Sequence, residues 1–149
     1  MKKQFIAVIL LLSILLPSCS GDKDEHTTAF NTNDGVFIHI THGSDDVHRL
    51  LMGLQMANIM SESRKVLVYF DIQGIEAVLK EAKELNFSHF PGSQSQIQNL
   101  LSRGVPLLAC PGCLKASGHT PEDLLEGIEI ANKDKFFSFT SGRILTLDY

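Results

Sequence analysis

Short apolar runs alternate along the chain with stretches in which apolar residues recur every three or four positions. Val36 to Ile40 is rich in β-branched residues and predicts a strand. Lys65 to Phe70 predicts a second, Val105 to Ala109 a third, Glu129 to Ala131 a brief fourth and Arg143 to Asp148 a last. Between the first two, Val47, Leu50, Leu51, Leu54 and Ala57 share one helical face, and the pattern runs to Met60. Gly43 and Ser44 open that helix, with Ser44 as the expected N-cap and Asp45 and Asp46 in the dipole-favoured first turn. Ile75, Val78, Leu79, Ala82 and Leu85 predict a helix from Ile75 to Leu85, followed by a loop carrying Pro91. A further helix is expected from Ser93 to Ser102, stopped at Gly104. Short helical pieces are expected at Pro111 to Ser117, at Pro121 to Leu125 behind a Thr120 N-cap, and at Lys133 to Thr140.

Strands that alternate with helices imply a mostly parallel sheet covered on both faces. The expected fold class is α/β: a three-layer α/β/α, flavodoxin-like domain with a mostly parallel five-stranded sheet in the order 2-1-3-4-5. Its core should hold Val36, Ile38, Ile40, Leu51, Leu54, Val66, Val68, Leu107, Leu108, Ile144 and Leu147. That order would make the first and third strands neighbours. The loops Thr41-His42-Gly43-Ser44 and Cys110-Pro111-Gly112-Cys113 would then converge on one crevice at the carboxyl ends of the strands.

The first residues follow a different pattern. Lys2 and Lys3 precede an apolar run from Phe5 to Leu16, shorter than the roughly 20 residues a bilayer span needs and apolar on every face. Residues 1–18 are therefore expected to be an export signal. Leu16-Pro17-Ser18-Cys19 resembles a bacterial lipobox, which makes Cys19 the expected site of lipidation, with Pro17 a departure at the middle position. Ordinary secretion with a free Cys19 is the alternative. Residues 19–34 are polar and aperiodic, as in a tether, and the α/β domain is expected over 35–149. The protein should then lie outside the cytoplasm, anchored to a bacterial membrane on its periplasmic side or at the cell surface.

The 149 residues suffice for one compact domain, and 44% hydrophobic with 20% charged residues is a globular composition. Three cysteines exclude a disulfide-framework miniprotein. A net charge of −4 and the lack of a basic stripe argue against nucleic acid as a partner. No P-loop or dinucleotide glycine pattern occurs, and no cofactor is expected.

Cys110-Pro111-Gly112-Cys113 is the sharpest chemical feature. Cys110 directly follows the third strand, and Pro111 suits the first helical position, so Cys110 should sit at an N-cap with Cys113 one turn on. A helix N-terminus favours the thiolate, and the spacing permits a disulfide. Three other readings remain open: a static disulfide, a zinc site completed by His42 and His119, and a thioredoxin-type oxidoreductase. The late position of the motif argues against the last.

The segment from Val105 to Cys113, with Gly118, Leu124, Leu125, Gly127, Glu129 and Ile130 after it, resembles the DsrE/DsrF-like proteins, and most closely their homo-oligomeric branch with two loop cysteines. Gly43, Asp45 and Asp46 extend the resemblance backward, and Ile144 to Leu147 extend it forward. It implies an α/β sandwich assembled as a homotrimer or homohexamer. In the sulfur-relay members a loop cysteine accepts sulfane sulfur as a persulfide and passes it on. Carried over, Cys110 matches the acceptor position and Cys113 the second cysteine. Those relay members are cytoplasmic, whereas this chain carries a lipobox.

The expected function is a persulfide carrier or thiol-redox protein with Cys110 as nucleophile, Cys113 resolving and His42 as an auxiliary proton acceptor. The rival is a non-catalytic oligomeric module that binds a ligand or partner beside a structural disulfide. Among the other polar residues, His119 ranks behind His42, His39 reads as a satisfied core histidine, His48 as surface, and Asp71 as a turn residue. Met52, Met56 and Met60 read as packing rather than as a soft-metal stripe.

Overall fold

The computed structural model describes residues 33–149. The signal, the Cys19 anchor and nearly all of the tether lie outside the described residues. Five strands form one sheet: β1 (Gly35–Ile40), β2 (Lys65–Phe70), β3 (Leu107–Ala109), β4 (Ile128–Ile130) and β5 (Ile144–Asp148). Four α-helices accompany them: α1 (Val47–Met60), α2 (Ser93–Ser102), α3 (Pro111–Ala116) and α4 (Lys133–Ser138). Every strand pair is parallel, as the alternation of strand and helix patterns requires.

The strand order is β4-β3-β2-β1-β5, not 2-1-3-4-5. The chain steps β1, β2, β3, β4 in one direction and then returns to place β5 beside β1. Periodicity fixes what each element is but not which neighbour it takes, so the alternation was compatible with both orders. Right-handed crossovers then explain the layering. Steps in one direction put their helices on one face, and the return step puts α4 on the other.

The two faces are unequal. Val36, Ile38 and Ile40 of β1, Val66, Val68 and Phe70 of β2, and Leu107 and Ala109 of β3 point to the thick side. There they pack against Leu50, Leu51 and Leu54 of α1 and Ile97 and Leu100 of α2. On the thin side Leu67, Leu108 and Ala131 form a smaller cluster under Phe37, Tyr69, Phe136 and Phe139. The expected core holds at most positions. Leu108 belongs to the thin-side cluster, Leu147 is only partly buried, and Ile144 is 50% exposed because β5 is an edge strand beyond the cover of α4.

Two local expectations change. The N-cap of α1 is Asp46, whose carboxylate accepts from Arg49 N at 3.1 Å, while Ser44 Oγ donates instead to Glu76 at 2.7 Å. The region expected as a helix from Ile75 to Leu85 is a 3-10 segment, Ile72–Val78, which then turns extended as Leu79 bridges Leu124. Tertiary contacts override the helical spacing here. Gly74 brings its backbone against the end of β1, donating to Thr41 O at 3.2 Å and Asp71 O at 2.8 Å.

A Cβ at Gly74 would lie 2.3 Å from Ile40 O, a backbone atom that cannot step aside. Gly74→Ala is expected to lower the stability of the domain by about 2 kcal/mol, as overpacking does. Urea unfolding followed by circular dichroism measures it, and an unchanged midpoint would contradict this packing.

Candidate functional site

The site begins where β3 ends. Cys110 N donates to Phe70 O at 2.9 Å, which fixes the loop at the carboxyl end of β2. Cys110 is the N-cap of α3, and its sulfur accepts from Cys113 N at 3.3 Å. Pro111 follows at the first helical position, where its missing N–H costs nothing. Both thiols are free and partly buried.

The two sulfurs differ electrostatically. Burial opposes ionisation of Cys110, but donation from the Tyr69 hydroxyl, the Cys113 thiol and the backbone N–H groups of Cys113 and Gly112 outweighs it. The Cys110 thiol is thereby held below its ordinary range. Cys113 is pushed up by burial and by the Cys110 sulfur, with Asp71 adding to the effect and the Ile72 N–H opposing it. Tyr69 is held well above its ordinary range by burial and by Cys110, so it stays a proton donor.

Ile72 carries φ of +46°, a conformation a β-branched residue rarely adopts. Its N–H donates toward Cys113. Cys113 also lines a groove of about 490 Å³ with Ile72, Ile75, Glu76, Leu79 and His119. Glu76, Leu79 and His119 continue it into a second groove that reaches Ser44 and Lys83. The two thiols thus open to different sides, Cys110 toward Tyr69 on the thin face and Cys113 toward the groove.

His39 is not a core histidine. It is partly exposed and lies between two carboxylates: Nδ1 is 3.0 Å from Asp148 Oδ1, and Nε2 is 2.9 Å from Asp71 Oδ2 in a poorly aligned ion-pair contact. Burial opposes the charge on His39, but the two carboxylates prevail and hold it above its ordinary value. Its ring stacks on Tyr69 at 5.5 Å.

His42 is not brought to the cysteines. β2 and the segment after it stand between the two loops, and the expected convergence of β1 and β3 is absent because those strands are not neighbours. His42 Nδ1 meets Asp45 Oδ2 at 2.6 Å, and its Nε2 meets Arg49 Nη1 at 3.2 Å. His119 lines the groove instead, with Nδ1 3.8 Å from Asp123. Met56 and Met60 pack against the core, and Met52 is exposed. Among the described residues no group of three or more His, Cys, Asp or Glu is placed to hold a metal ion. Sequence reading missed Tyr69, Asp71 and Ile72. Only the strand alternation could have flagged Tyr69, by placing it on the same face as His39.

A model of the DsrE/DsrF-like family matches residues 34–141. An uncharacterized protein of Methanocaldococcus jannaschii is 26% identical over 123 residues, which cover 81% of this chain and 45% of that protein. The chain thus spans about half the length of this curated relative. The crystal structure of the ychN protein from E. coli superposes with a TM-score of 0.62 at 18% identity, covering 77% of this chain and 99% of that one. A protein of unknown function from Methanobacterium thermoautotrophicum gives 0.53 at 21% identity, covering 76% and 98%. At these identities the two structures show the fold alone.

His39 supplies a pH test. Its folded pKa is raised, so its contribution to stability is complete below about 6.5 and is lost as pH rises through the folded value. The stability difference between wild type and His39→Gln should therefore shrink from pH 6 upward. Urea midpoints at a series of pH values measure it, and a constant or growing difference would contradict the double carboxylate clamp.

Proposed function

The chain belongs to the DsrE/DsrF-like family, and on that footing we propose that it is a sulfur carrier, or thiol-redox protein, that works through Cys110. The observation that carries the reading is the convergence of four donors on the Cys110 sulfur: the Tyr69 hydroxyl, the Cys113 thiol and two backbone N–H groups. A sulfur so surrounded is anionic at lower pH than its neighbour and is the nucleophile of the pair.

The Cys110 thiolate attacks the outer sulfur of a donor persulfide. A bond from Cys110 to that sulfur forms, the donor's S–S bond breaks, and the donor departs as a thiolate. The outer sulfur, now on Cys110, passes to an acceptor thiolate by the same exchange. In the resolving branch the Cys113 thiolate attacks the Cys110 sulfur, forming the Cys110–Cys113 disulfide and releasing hydrosulfide. The higher pKa of Cys113 makes it the slower partner, which lets the persulfide persist.

The lipobox supports export and anchoring through Cys19, which would present this chemistry outside the cytoplasm. The family resemblance supports assembly as a homotrimer or homohexamer. His42, held by Asp45 and Arg49, has no contact that supports proton transfer to Cys110. A non-catalytic binding module has one observation in its favour, the groove beside Cys113, which a ligand fills as readily as a substrate does.

Incubation of the reduced full chain with polysulfide, followed by intact mass measurement, tests the carrier. Wild type and Cys113→Ser should gain the mass of sulfur, and Cys110→Ser should not. Equal gain by Cys110→Ser, or no gain by wild type, would overturn the proposal.

A further inference from the structure

β1, β2 and β3 place three chemically active side chains in a row on the thin face. His39 and Tyr69 are direct partners in the parallel register, Tyr69 is paired with Leu108, and Cys110 lies two residues beyond Leu108 on the same side. We propose that His39 is a positioning residue for the thiol chemistry of Cys110: seated between Asp71 and Asp148, its ring backs the ring of Tyr69 and so fixes the hydroxyl that donates to the Cys110 sulfur. The proposal rests on the reading of Cys110 as the reactive thiol.

The Tyr69 ring is held from several directions. His39 stacks on it at 5.5 Å and 24°, Phe37 lies at 6.3 Å, and Phe136 of α4 meets it edge-on at 5.1 Å and 81°. The two phenylalanines supply apolar packing. His39 adds a ring whose orientation is set from outside, because each of its nitrogens meets a carboxylate from a different strand. Asp148 belongs to β5, and Asp71 follows the end of β2. A neutral imidazole has one N–H and serves one of these carboxylates, whereas the imidazolium serves both. The charged ring therefore ties β5, β1 and β2 together at the level of Tyr69. No other charge meets it from the packed elements: α4 approaches through Phe136 and turns its Lys135 to Glu129.

The arrangement places His39 one residue away from the sulfur, with Tyr69 between. Its influence on Cys110 must therefore pass through Tyr69, and this separates positioning from direct electrostatics. If His39 acted through its charge on Asp71 and the thiol pair, Tyr69 would be dispensable to the effect.

The test is the pH profile of iodoacetamide alkylation of the full chain, read at Cys110 by peptide fragmentation. Wild type is compared with Tyr69→Phe, His39→Gln, the double variant and Asp148→Asn, each checked for fold by circular dichroism. Tyr69→Phe and His39→Gln should each raise the Cys110 midpoint and slow its alkylation at pH 7 by about threefold or more, the scale of one hydrogen bond's net contribution. The double variant should be no slower than Tyr69→Phe alone, since coupled residues are non-additive. Asp148→Asn should shift the profile in the same direction by less. An unchanged profile in His39→Gln, or an undiminished His39→Gln effect in the Tyr69→Phe background, would overturn the proposal. Should His39→Gln fail to fold, an unchanged midpoint in Asp148→Asn, an exposed side chain, overturns it instead. A wild-type Cys110 midpoint no lower than that of an ordinary thiol would defeat the thiol reading itself. A lowered but insensitive midpoint would defeat only the role of His39.

Discussion

The parallel register across β1, β2 and β3 is the constraint on which the site depends. Side chains alternate strictly along a strand, and parallel partners face the same way. With Gly35 opposite Lys65 and Val68 opposite Leu107, the same alternation that buries Ile38, Val68 and Leu107 in the thick-side core turns His39, Tyr69 and Leu108 to the other face. A slip of one residue would send the active side chains into the core and the core residues outward. The burial of apolar side chains therefore also fixes the site. Core residues that never touch Cys110 hold its partners in line.

The unequal faces give the two cysteines different surroundings. Helices α1 and α2 and the 3-10 segment cover one side, and the short α4 covers the other. Cys110, ending β3, remains with Tyr69 on the thin face, while Cys113, one turn into α3, reaches the groove on the thick side. Neighbouring sulfurs three residues apart in sequence are thus split by chemistry as well as by direction. Four donors favour the anion at Cys110, whereas Cys113 is buried and faces both that sulfur and the charge of Asp71. Ile72 joins the two halves. Its unusual backbone conformation follows Asp71, which contacts His39, and its N–H is turned to Cys113.

Much of this was legible in the chain. Apolar runs located all five strands, and helical spacing located α1 and α2, because each of those elements buries one continuous face. Pro111 after Cys110 was enough to place the thiol at an N-cap. Strand order was not legible, since no local pattern distinguishes which neighbour a parallel strand will take. That misplaced His42 beside Cys110 and left His39 as packing. The role of His39 emerges only from residues distant in sequence, with Asp148 arriving on the last strand. The helix expected from Ile75 to Leu85 failed for a related reason: the approach of Gly74 to Ile40 and the bridge from Leu79 to Leu124 are tertiary contacts that spacing cannot show.

The central claim is that the sheet makes Cys110, and not Cys113, the first sulfur to ionise. Carbon-13 labelling of the cysteine β-carbons, followed by an NMR titration of the reduced full chain, reads each thiol separately. The account predicts that the Cys110 carbon shifts at distinctly lower pH than the Cys113 carbon, with Cys113 titrating above the range of an ordinary thiol. Coincident titrations, or Cys113 moving first, would contradict it.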